Sequence, residues 1–157
     1  MALDDFRYRY DFRVVFRDVD YYRHVNNAVY VTYMETARID YCAVALGKPL
    51  GSVQNVIMAS QRFDYEKQAQ YDERLVMGVR TSRIGKKSLD FTYELWRGDE
   101  RIGHGLSTLV AFDYEANRSI AVPDEWRRRV AKYEIVAPDG CGADGQSPFS
   151  ATAGGGS

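Results

Sequence analysis

The sequence predicts an α+β domain in which an antiparallel sheet wraps around one long central helix. Three observations carry this. Residues 28–46 place apolar side chains three and four apart, the spacing of one helical face. From residue 56 onward the pattern switches to period two, with turns between the segments. Only one further short helical stretch follows, so a single apolar helix has to cover one face of the sheet and leaves the other free to meet a partner subunit.

In chain order, residues 12–18, FRVVFRD, alternate Phe12, Val14 and Phe16 with Arg13, Val15 and Arg17, which reads as a strand. The helix carries Tyr30, Tyr33, Met34, Ala37, Tyr41, Val44 and Ala45 on its apolar face. Asn26 or Asn27 is a natural N-cap, and Gly47 with Pro49 is a stop signal. Residues 56–66 and 72–83 read as extended, and a turn at 83–86 leads into 87–97. There Leu89, Phe91, Tyr93 and Leu95 alternate with Asp90, Thr92, Glu94 and Trp96. Gly98-Asp99 suits a two-residue hairpin turn into 101–113, where Leu106, Thr108, Val110 and Phe112 alternate again. Pro123 fits the first turn of a short closing helix. The domain is expected to span 1–133, with 134–157 a flexible tail rich in Gly and Ser.

The bulk numbers exclude several classes. At 157 residues the chain suffices for one domain. Its 45% hydrophobic content is too high for a disordered protein. Lys and Arg number 21 against 22 Asp and Glu, so no basic excess marks a nucleic-acid binder. No run of 18 apolar residues spans a membrane, and the charged start MALDDFRYRYDF is no secretory signal. Cys42 and Cys141 match no metal spacing, and one in a helix and one in a Gly-rich tail make a poor disulfide. No cofactor or metal is expected, and free thiols suggest the cytoplasm.

The stretch RDVDYYRHVNNAVYVTYMETAR, residues 17–38, puts one of only two histidines between strand and helix, beside two aspartates and two asparagines. This pattern of Asp-x-Asp, His-Val-Asn-Asn, a Tyr and Glu-x-Ala-Arg resembles the hotdog-fold thioesterases, above all the branch that hydrolyses acyl-CoA, with 4-hydroxybenzoyl-CoA thioesterase a more distant relative. GKKSLDFTYEL resembles the family's basic-basic-Ser opening of a central strand, and HGLSTLVAFDYEANRSIAVPDEWR its last strand, Pro and closing helix. The similarity covers about residues 8 to 133. Arg23 stands where many relatives have Gly, a departure that bears on the pocket's shape or charge.

Thioester hydrolysis needs an activated oxygen nucleophile, oxyanion stabilisation and room for an acyl group. The resemblance puts the catalytic carboxylate at Asp20, acting either as nucleophile or as general base on water. The first amides of a helix have no intrahelical partner and lie at the positive end of its dipole. A thioester oxygen aimed there is polarised as in an oxyanion hole, and the resemblance suggests the Asn27 N–H for this role. His24 and the Asn27 side chain are expected to orient Asp20, the water or the carbonyl. Taken singly these residues have plainer readings: a cap for Asn26 or Asn27, a loop histidine for His24, a strand end for Asp18. Their joint spacing is what favours chemistry. Tyr30 is expected as core or pocket wall, and Tyr33, Tyr41, Met58 and Phe63 around the acyl pocket. Lys86, Lys87 and Ser88 at a strand start suit CoA phosphates, or are a solvated hairpin. Glu35 and Arg38 are expected as a structural ion pair, 127–129 as a charged helix face, and His104 as a surface or interface residue.

The expected function is thus an acyl-CoA thioesterase, a homodimer or homotetramer with its site at the subunit junction, as the resemblance implies. Two other classes stand beside it: a non-catalytic acyl-CoA binding or sensing module on the same fold, and a hotdog acyl-ACP thioesterase or dehydratase. No added DNA-binding segment marks a sensor. Dehydratases tend to place Pro soon after their Gly-His pair, whereas Val25-Asn26-Asn27 follows His24 here.

Overall fold

The computed structural model describes residues 1–48 and 55–140. Five strands form an antiparallel sheet in the order β1-β3-β4-β5-β2, with short β6 paired to β5. The strands are β1 (Tyr8–Arg13), β2 (Val56–Tyr65), β3 (Arg74–Ile84), β4 (Ser88–Arg97), β5 (Glu100–Asp113) and β6 (Arg118–Ser119). Helix α1 (Asn27–Ala45) lies across the concave face, and α2 (Asp124–Tyr133) closes one end. This is the α+β hotdog architecture.

α1 buries Tyr30, Tyr33, Met34, Ala37, Arg38, Tyr41, Cys42 and Ala45. They meet an inner sheet face of Leu75, Met77, Val79, Leu89, Phe91, Tyr93, Leu95, Leu109 and Ala111, all buried. At Gly105 a side chain would collide with the helix, because an added Cβ would sit 2.8 Å from Met34 Cε. Tyr41, fully buried, meets Tyr8, Phe91 and Tyr133 edge to face at 5.8–5.9 Å. On the opposite face Phe6 packs over Gly78, whose missing Cβ leaves room for the ring.

Four expectations need correction. The first strand runs over 8–13, not 12–18: Val14 pairs with Glu73 and Asp72, and Phe16–Asp18 is a 3-10 turn with Phe16 78% exposed. Alternation continued past the point where the backbone leaves the sheet. Val44 is exposed, and Arg38 takes a buried place on the stripe that period alone assigns to apolar residues. In β5 the helix-facing set is Gly105, Ser107, Leu109 and Ala111, while Leu106, Thr108, Val110 and Phe112 face outward. Ser107 is admitted inside because its hydroxyl pairs with Tyr93 at 2.7 Å.

The packed chain also runs beyond 133. Glu134 is buried, bonded to Tyr41 and to the Thr81 amide, and Asp139 exchanges backbone hydrogen bonds with Ser82 and Ile84. The Gly/Ser-rich stretch from 141, with Cys141, and Pro49 lie outside the described residues. Cys42 is buried, and burial pushes its thiol up to about 12. No helix among the described residues is long and apolar enough to cross a membrane.

Candidate active site

Between β1 and α1 the chain closes a tight loop on itself. Val19 bridges Val25, the Asp20 amide donates to the His24 carbonyl at 3.0 Å, and the Arg23 amide donates to the Asp20 carbonyl at 3.0 Å. Arg23 has φ 66°, the left-handed region where glycine is favoured. The departure noted in the sequence therefore falls where backbone geometry makes Gly the easiest residue. Two bonds tie the loop down: the Val25 amide donates to the Ala69 carbonyl at 2.8 Å and the Asn26 amide to the Asp18 carbonyl at 2.9 Å.

The two aspartates have separate tasks. Asp18 Oδ2 accepts from the Tyr33 hydroxyl at 2.8 Å, bracing the loop against α1. Burial first, and then this carboxylate, raise the Tyr33 phenol above its ordinary range. Asp20 Oδ1 accepts from the Tyr22 amide at 2.9 Å, and Oδ2 lies 3.5 Å from Asn26 Nδ2.

Asn26 is the N-cap, its Oδ1 accepting from the Ala28 amide at 3.0 Å. One side chain thus touches both the helix end and the Asp20 carboxylate. The Asn27 amide has no hydrogen-bond acceptor among the described residues, while its carbonyl accepts from the Tyr65 hydroxyl at 2.8 Å.

These groups open on a cavity of about 940 Å³. Its lining includes Asp20, His24, Asn27, Tyr30 and Tyr65, so the candidate catalytic residues and Tyr30 are brought together. Tyr30 stacks on Phe63 at 5.2 Å, meets Tyr65 edge to face at 5.1 Å, and accepts from the Ala69 amide at 3.1 Å. Burial raises its phenol, which stays protonated and serves as a wall. His24 is half-buried, and its ring makes no hydrogen bond among the described residues.

Lys86, Lys87 and Ser88 are not part of this cavity. They lie at the β3–β4 turn, at the other end of the sheet from the α1 N-terminus. Ser88 Oγ accepts from Arg83 at 3.0 Å, and Lys87 Nζ reaches Ser119 Oγ at 3.3 Å. Arg127 donates to the Gly85 and Lys86 carbonyls, docking α2 on that turn, and Arg128 and Arg129 are exposed. Of the residues expected around the acyl pocket, Phe63 backs the cavity through Tyr30, Tyr41 is deep core, and Met58 faces a separate groove. His104 is at the surface of β5, its ring flanked by Glu66 at 2.9 Å and Asp64 at 3.3 Å. Arg101 first, and His104 with it, hold the Glu66 carboxyl below its usual range.

Sequence reasoning missed Tyr65, Glu66, Lys67 and Gln68, which line the cavity from the end of β2. It also missed the double contact of Asn26. The only available sign was the position of Tyr65 two residues after Phe63, on the same face of a strand. Among the described residues no group of three His, Cys, Asp or Glu side chains is placed to hold a metal.

Comparison with known proteins agrees with this fold. A family profile described as the thioesterase-like superfamily matches residues 14–130. A thioesterase from Thermus thermophilus, solved in complex with coenzyme A and Zn, is 30% identical. The match has a TM-score of 0.74 and covers 83% of this chain and 96% of that one. The PA5185 protein of Pseudomonas aeruginosa is 25% identical with a TM-score of 0.75, covering 87% and 97% respectively. The YsmA protein of Bacillus subtilis is 28% identical over 116 residues, 71% of this chain and 77% of that protein. With the profile spanning most of the fold and the loop-helix junction that frames the cavity, the chain belongs to the thioesterase-like superfamily.

Proposed function

We propose that the protein hydrolyses an acyl-CoA to a free carboxylic acid and CoA. One observation carries the reading: the Asp20 carboxylate and the Asn27 amide, unpaired among the described residues and at the positive end of a 19-residue helix, share one cavity. The thioester carbonyl oxygen points at the Asn27 N–H, where the growing negative charge is stabilised. Asp20 either takes a proton from water as it attacks, or attacks itself and forms an anhydride that water then opens. The carbon–sulfur bond breaks and the sulfur leaves as the CoA thiol. His24, facing the same space, positions the water or the carbonyl.

An unpaired edge of the sheet supports a homodimer. β2 is an edge strand, with Ile57 42% and Met58 38% exposed, and an unpaired edge invites a second copy. Antiparallel β2–β2 pairing about Gln61 would set Tyr65 of one copy level with Ile57 of the other. Ile57 registers with Val110 and Val110 with Ser88. The Lys86–Ser88 turn of the second copy would then stand three strand spacings away, about 14 Å, at the same end as Asp20. That placement lets those lysines meet CoA phosphates, which a single chain does not permit. We place the protein in the cytoplasm, with no nucleic acid or membrane as partner.

The test is release of thiol from a panel of acyl-CoA and acyl-ACP thioesters. Wild type is expected to release CoA, and Asp20→Asn to lower turnover by about three orders of magnitude with an unchanged melting temperature, in line with loss of an essential nucleophile or base. Binding without release would make the protein a sensor, and near-native release by Asp20→Asn would remove this carboxylate from the chemistry.

A further inference from the structure

The N–H that the proposed chemistry uses belongs to the first residue of α1, and helix ends fray. A donor serves an oxyanion best when its direction is set before the charge forms. The peptide plane that follows Asn27 is held from both sides. Its N–H, on Ala28, donates to Asn26 Oδ1 at 3.0 Å, and its carbonyl accepts from the Tyr65 hydroxyl at 2.8 Å. The plane that carries the Asn27 N–H is held through the Asn26 carbonyl, which accepts from the Val29 amide at 2.9 Å. Of these three partners, Asn26 and Val29 belong to the same loop and helix, whereas Tyr65 reaches across from the end of β2, 38 residues along the chain. Its own placement is firm. The ring meets Tyr30 and Phe63 edge to face, each at 5.1 Å, and both of those rings are buried. Directly after it, the Glu66 and Lys67 amides donate to the Ile102 carbonyl at 3.1 and 2.9 Å, which fixes the end of the strand.

We propose that Tyr65 is a positioning residue for the oxyanion donor: its hydroxyl holds the Asn27 carbonyl and thereby sets the direction in which the Asn27 N–H enters the cavity. The inference rests on the hydrolase reading and adds a part to it. Peptide units are planar and join at Cα, so with the carbonyl plane of Asn27 pinned, its N–H can swing only through φ. A wall of the cavity needs the Tyr65 ring alone, and phenylalanine would fill the same space. The hydroxyl is instead directed at the backbone of the helix end. Removing it leaves the ring and the Asn26 cap in place and frees the Asn27 carbonyl on the β2 side.

The experiment compares CoA release by the full chain from the acyl-CoA that wild type cleaves fastest and from its dithioester analogue, in which sulfur replaces the carbonyl oxygen. Sulfur is a weak hydrogen-bond acceptor, so the analogue draws little on the oxyanion donor. Tyr65→Phe is expected to lower kcat for the thioester about tenfold, the worth of one hydrogen bond felt in the transition state, with KM unchanged. The dithioester should slow far less, so the ratio of the two kcat values falls. Asp20→Asn, by contrast, should slow both substrates. Tyr65→4-aminophenylalanine supplies a donor again and should restore the ratio. Tyr65→O-methyltyrosine keeps the oxygen without its proton and should behave as Tyr65→Phe. Should Tyr65→Phe fail to fold, these two variants carry the same comparison. Equal slowing of both substrates, no slowing, or a ratio that O-methyltyrosine restores overturns the role of Tyr65 and leaves the hydrolase reading standing. A wild-type chain that releases no CoA from any acyl-CoA overturns both.

Discussion

At the scale of single residues, the loop between β1 and α1 links helix capping to the proposed chemistry of Asp20 through Asn26. Its carbonyl oxygen caps the helix and its amide faces Asp20, so two substitutions separate the functions. Asn26→Ala is expected to cost about 1 kcal/mol, the worth of a cap, and to lower turnover. Asn26→Asp keeps a capping oxygen but sets a second carboxylate against Asp20. Turnover should fall about tenfold with little change in melting temperature, a pattern that thermal melts and thiol release read together. Arg23 offers a second test. Its left-handed backbone is strained for any residue with a Cβ, so Arg23→Gly should melt no lower than wild type, whereas Arg23→Val should lose about 1–2 kcal/mol. A large loss from the glycine variant would mean that the arginine side chain itself holds the loop.

At the scale of elements, the closing segment after α2 is held by a buried carboxyl. Burial raises the Glu134 pKa above the ordinary carboxyl range, despite its bonds to Tyr41 and the Thr81 amide. A raised folded-state pKa means the native chain holds this proton more tightly than the unfolded chain. Its contribution is therefore fully present below the unfolded pKa and is lost as pH climbs through the folded value. Glu134→Gln preserves the acceptor and removes the titration. The variant is expected to match wild type in acid and to exceed it at neutral pH, as denaturant melts at several pH values would show. Gly105 is the matching constraint between α1 and β5. Gly105→Ala places a Cβ 2.8 Å from Met34 Cε and 3.0 Å from the Arg62 carbonyl oxygen, and should cost about 1–3 kcal/mol.

At the scale of the whole molecule, the exposed edge of β2 and the distance between the Asp20 cavity and the Lys86–Ser88 turn both argue for pairing of two chains. Light scattering is expected to return at least twice the chain mass, and a stable, active monomer would refute the shared site. The same separation explains why Lys86, Lys87 and Ser88 were legible as a motif but not as a place. Spacing along the chain says that Lys86, Lys87 and Ser88 open a strand. Which end of the sheet they occupy depends on strand order, a long-range choice.

The sequence by itself determined the long helix, its Asn cap, the four later strands and the carboxylate-histidine-asparagine cluster, because each rests on contacts or periodicities within a few residues. Only the tertiary structure decided which face of β5 is inside, that Arg38 is buried, and that Tyr65 and the 66–68 turn complete the cavity. Those outcomes depend on sheet curvature and on how closely the helix approaches it. Nothing local in the chain encodes where strands distant in sequence come to rest.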